Sequence, residues 1–104
     1  MENHEKGLIF LESFLIKGKC YNIKAMEFLA DVQKRFPING FYATYWCKLY
    51  VTRNKRRPEY LLVRKKSLNA YDPQIIKESE AKALLARYRY DIFVKRFGEM
   101  EVPA

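Results

Sequence analysis

Residues 41–52 alternate without a break. Phe41, Ala43, Tyr45, Cys47, Leu49 and Val51 fall on one side, and Tyr42, Thr44, Trp46, Lys48, Tyr50 and Thr52 on the other. A period of two, filled with aromatic and β-branched residues, specifies a strand. Any fold for this chain must accommodate one long strand with an apolar side and an aromatic side. At ~3.3 Å per residue it would span roughly 40 Å, so a bulge, a sharp bend or a shorter ordered stretch is expected.

Asn39-Gly40 marks a turn ahead of this strand. Arg53 to Pro58 reads as a loop, and Glu59 to Lys65, with Tyr60, Leu61, Leu62 and Val63, as a second strand. The two strands make an antiparallel hairpin with a basic tip.

The flanks read as helical. Leu8, Leu11, Phe14 and Leu15 stand at helical spacing, with Gly18 as the stop. Asn22 can cap a second helix whose apolar face is Ala25, Phe28, Leu29, Val32 and Phe36 and whose end is Pro37. Asp72-Pro73 supplies a capping carboxylate and a proline at the first helical position, and Gly98 a stop. Between them Ile76, Ala83, Tyr90 and Phe97 recur every seven residues, and Glu78–Lys82 and Asp91–Lys95 form i,i+4 pairs. Tyr88, Tyr90, Ile92 and Val94 also alternate as a strand would, but no Gly or Pro before Tyr88 supplies a turn. The expected fold is one α+β domain over residues 1–104. It has two N-terminal helices, a basic antiparallel β-hairpin, and a long C-terminal helix packed across it.

Charge points to function. The 104 residues carry a formal net charge of +8. Residues 48–66 hold Lys48, Arg53, Lys55, Arg56, Arg57, Arg64, Lys65 and Lys66 against Glu59 alone, so +7 of that excess lies in one segment. Concentrated cations imply a binding surface rather than mere solubility. The hydrophobic share of 49% excludes a disordered chain.

Other classes find little support. The first apolar stretch, Leu8 to Ile16, is too short to span a bilayer, and the N-terminus lacks the basic region of a secretory signal. A cytoplasmic protein with reduced thiols is expected. His4, Cys20 and Cys47 lack the paired spacing of a zinc site, and the scattered glycines form no phosphate loop. No catalytic residue, metal or cofactor is expected.

The favoured reading is a small non-catalytic protein that binds DNA or RNA through the hairpin. Arg53, Lys55, Arg56 and Arg57 would contact phosphates from the loop, and Lys48, Arg64, Lys65 and Lys66 would extend the patch along the strands. Trp46 and Tyr50 would stack on bases. The element order invites comparison with a winged helix-turn-helix. However, Glu27 and Asp31 would then face phosphate, and only two helices precede the hairpin. The alternative is a protein-interaction adaptor or inhibitor acting through the C-terminal helix, with the heptad positions as a dimer seam.

Overall fold

The computed structural model describes residues 13–67 and 70–98. Among the described residues six strands come first: β1 (Ser13–Ile16), β2 (Lys19–Asn22), β3 (Met26–Ile38), β4 (Phe41–Thr52), β5 (Tyr60–Ser67) and β6 (Ala70–Ile76). Two helices follow, α1 (Glu78–Tyr88) and α2 (Tyr90–Phe97), and a single 3₁₀ turn at Ile23–Ala25 joins β2 to β3. Strands β3 to β6 form an antiparallel meander in chain order, and β1 and β2 form a separate hairpin.

Both N-terminal turns have the same cause. Lys17-Gly18 and Asn39-Gly40 all have positive φ, at 51° and 80° and at 49° and 83°. Two consecutive left-handed residues make the two-residue turn whose twist matches antiparallel strands. Gly18 therefore closes a hairpin and does not stop a helix.

The meander separates two apolar clusters. On one face Leu29, Val32, Phe36, Cys47, Leu49, Val51, Tyr60, Leu62 and Ile76 pack against Ala81 and Leu85 of α1 and Phe93 of α2. On the other face Tyr21, Met26, Leu61 and Val63 are buried, with Phe14, Ile16, Ile23, Tyr50 and Tyr71 against them. The order is hairpin, sheet, helices. Each fully buried Leu or Val contributes about 1.5–3 kcal/mol.

The expected pair of N-terminal helices is overturned. Residues 13–16 are strand, residues 8–12 lie outside the described residues, and 26–38 form the longest strand of the sheet. A bulge accounts for the difference. The β3–β4 register shifts between Phe28 and Ala30, so Leu29 and Ala30 are both buried. Burial at Met26, Leu29 and Ala30 thus falls at i, i+3 and i+4, which imitates a helix. Pro37 sits within β3, an edge strand, where its missing N–H removes nothing from the sheet interior.

The single long C-terminal helix is also overturned. Asp72 and Pro73 belong to β6, the other edge strand, and the residue before a proline favours extended backbone. The helical segment starts at Glu78 and breaks at Arg89, whose φ and ψ are −143° and 71°. Arg89 ends one helix and begins the next. Its N–H donates to the Leu85 carbonyl at 2.8 Å, and its own carbonyl accepts from Ile92 and Phe93 at 3.1 Å each. The heptad positions do not share one helix: Ile76 lies on β6, Ala83 on α1, and Tyr90 and Phe97 on α2.

The hairpin expectation agrees with the structure. β4 spans 41–52, β5 is antiparallel to it, and the intervening loop carries the basic run.

Candidate nucleic-acid interface

β5 pairs with β4 only over Cys47 to Val51. Beyond Cys47, toward Asn39-Gly40, β3 and β4 continue as a two-stranded ribbon. One side of its base is covered: Lys34 pairs with Glu80 of α1 at 2.6 Å, and Phe36 meets Tyr45 edge-on.

The opposite side is open to solvent. It carries Tyr42, Thr44, Trp46 and Lys48 from β4, opposite Pro37, Arg35, Gln33 and Asp31 from β3. Trp46 is 61% exposed and Tyr42 66%. The Arg35 guanidinium lies 5.0 Å from the Tyr42 ring centroid. Lys48 lies 5.2 Å from the centroid of Phe28 and 2.9 Å from an Asp31 carboxylate oxygen. That hydrogen bond holds the Lys48 ammonium above its ordinary pKa. Tyr50 is half-buried, edge-on to Phe28 at 5.5 Å, and packs against the second core. It is a wall of that core rather than a free stacking surface.

The loop is held at both ends. Thr52 N–H donates to the Glu59 carbonyl, and Glu59 N–H to the Thr52 hydroxyl, each at 2.9 Å. Within the loop, Asn54 Oδ1 accepts from the backbone N–H groups of Arg56 and Arg57 at 3.0 and 3.3 Å. Arg53, Lys55, Arg56 and Arg57 are exposed, and no described carboxylate lies within ion-pair distance of them. Glu59, the one acid of the basic segment, is turned toward the N-terminal hairpin. It accepts hydrogen bonds from Lys19 and, at 2.8 Å, from the Tyr21 hydroxyl.

The eight cations do not share one surface. The four loop cations lie beyond Thr52, which is itself six residues along β4 from Trp46, ~20 Å away. Lys65 is exposed one residue past the Cys47–Arg64 pair, at the step where β4 presents Trp46. Arg64 points the other way. It is 9% exposed, sits 2.8 Å from Asp72, and lies over the rings of Phe36 and Tyr45 at 4.1 and 4.9 Å. The side chain of Lys66 lies outside the described residues. Arg35 and Phe28, which belong to the open face, are concealed when 22–36 is read as a helix.

Among the described residues, no group of three or more His, Cys, Asp or Glu could hold a metal ion, and no helix is long and apolar enough to cross a membrane. His4 lies outside the described residues. Comparisons with protein-family models, curated proteins and solved structures found no match.

Proposed function

We propose that this protein binds single-stranded nucleic acid without catalysing a reaction on it. The observation that carries the reading is the open ribbon face, where Trp46 and Tyr42 stand in solvent with Arg35 and the Asp31-paired Lys48 on the same side, and with Lys65 exposed on the neighbouring strand. Exposed rings beside cations supply what unpaired bases and their phosphates need, and each stacked base contributes about 1–3 kcal/mol. Duplex bases are already stacked on each other and could not use the rings. The loop cations add a second, purely electrostatic attraction.

The test is a titration of labelled single- and double-stranded oligonucleotides at two salt concentrations. Single strands bind more tightly, affinity falls steeply with salt, and Arg56→Ala/Arg57→Ala flattens the slope by about 0.7 for each phosphate that is no longer neutralised. Undetectable or salt-insensitive binding contradicts the proposal.

A protein partner is the second reading. It no longer has a long C-terminal helix to use, but Phe41 at the ribbon tip is 78% exposed, and aromatic and Arg side chains are enriched at protein interfaces. A docked partner on the ribbon would shield Trp46 with little dependence on salt.

A further inference from the structure

Between the 53–58 loop and α2 lies an open groove of about 520 Å³. Arg53 and Lys55 line one side and Lys95 and Arg96 the other, over an apolar floor that includes Phe28 and Ile92. Among the described residues one carboxylate, Glu27, lines it too, and it is paired with Arg96 at 3.3 Å. Four cations against one acid make the described lining net positive.

Two carboxylates that could neutralise it are committed elsewhere. Glu59 is held by Lys19 and Tyr21. Asp91, one helical turn before Lys95, instead accepts from Arg89 Nε and Nη2 at 3.0 and 2.8 Å. Lys95 therefore has no described acid partner, although the i,i+4 spacing offers one. Arg96 is paired with Glu27, also interacts with the Tyr60 hydroxyl, and keeps a buried Nε without a partner.

The groove is continuous with the ribbon. Phe28 is 45% exposed, carries Lys48 over its ring on the open face, and also lines the groove. The β3 bulge lies between Phe28 and Ala30, on an edge strand of the sheet. The open ribbon face and the groove thus meet at Phe28.

We propose that this groove takes the backbone phosphates of the same single strand whose bases stack on Trp46 and Tyr42, so that the strand turns at Phe28 and runs between the loop and α2. This rests on the stacking reading and goes beyond it. It brings Lys95 and Arg96, outside the basic segment, into the site. It also requires a strand long enough to bridge the ~20 Å from Trp46 to Thr52.

The experiment compares oligothymidylates of about four and about sixteen nucleotides, the ends of the usual site-size range. Binding is read by anisotropy and by Trp46 emission in the wild-type protein, in Lys55→Glu/Lys95→Glu, and in Trp46→Ala. Thermal melts confirm that the variants are folded. The expected result is that the groove variant loses about tenfold or more on the long strand. It should leave the short strand's effect on Trp46 emission unchanged, whereas Trp46→Ala weakens both. Equal losses on short and long strands, or no loss on either, overturn the groove while leaving ribbon stacking intact. Failure of the wild-type protein to bind either length overturns both proposals.

Discussion

Arg64 Nη2 stands 2.8 Å from Asp72 Oδ2, across the β5–β6 pair and against the rings of Phe36 and Tyr45. A cation that would be counted in a binding patch is therefore part of the packing between the sheet and the ribbon. Arg64→Ala leaves Asp72 without its partner and removes the guanidinium stacked on two rings. A loss of about 2–3 kcal/mol is expected, since Asp72 keeps some access to water. Chemical denaturation measures it. Oligonucleotide affinity, corrected for the folded fraction, should stay within about twofold of wild type. A large affinity loss in a fully folded Arg64→Ala protein would return Arg64 to the binding surface.

Glu59 ties the N-terminal hairpin to the loop. The Lys19 hydrogen bond holds its carboxyl below the ordinary value, with the Tyr21 hydroxyl adding to the effect and partial burial opposing it. A carboxyl depressed in the folded state contributes stability in full above its ordinary pKa of 4.5 and loses it as the pH falls through the folded value. Acidification through that range should loosen β1 and β2 against the sheet before the meander unfolds. Hydrogen exchange of the hairpin amides reads this directly. Glu59→Gln should remove the pH dependence, and a protection pattern identical at neutral and acid pH in the wild-type protein would show that the tie does not matter.

The two thiols differ in surroundings. Cys47 is 2% exposed in the main core, and burial pushes its thiol pKa up. Cys20 is exposed on β2. An alkylating reagent at mildly alkaline pH should modify Cys20 in the folded protein and reach Cys47 only on unfolding. Mass spectrometry of the native, labelled protein decides it. Rapid native labelling at Cys47 would contradict the packing of β4 described above.

Much of the central hairpin is legible in the sequence, because unbroken alternation from Phe41 to Val51 admits only a strand, and Asn39-Gly40 only a turn. The flanks are not legible, for identifiable reasons. The bulge at Phe28/Ala30 gives β3 a helical burial spacing. Gly18 serves a two-residue turn as readily as a helix stop. Asp72-Pro73 suits an edge strand as well as a helix start. Nothing in the residue types around Arg89 announces a break. The candidate site divides in the same way. Trp46 and the loop cations follow from alternation and charge. Arg64 is separable from them in principle, since it shares its side of β5 with Tyr60 and Leu62. Arg35 and Phe28 need the strand at 26–38, and Lys95 becomes available only because Asp91 turns to Arg89.

The ribbon face carries the functional account, and Trp46, the chain's one tryptophan, reports on it directly. The decisive measurement is its emission during titration with a single-stranded oligonucleotide. A saturable change is expected, reversed by salt and much weaker with a duplex of the same sequence. Oligonucleotide that leaves the emission of this exposed indole unchanged at saturation would contradict base stacking on the ribbon.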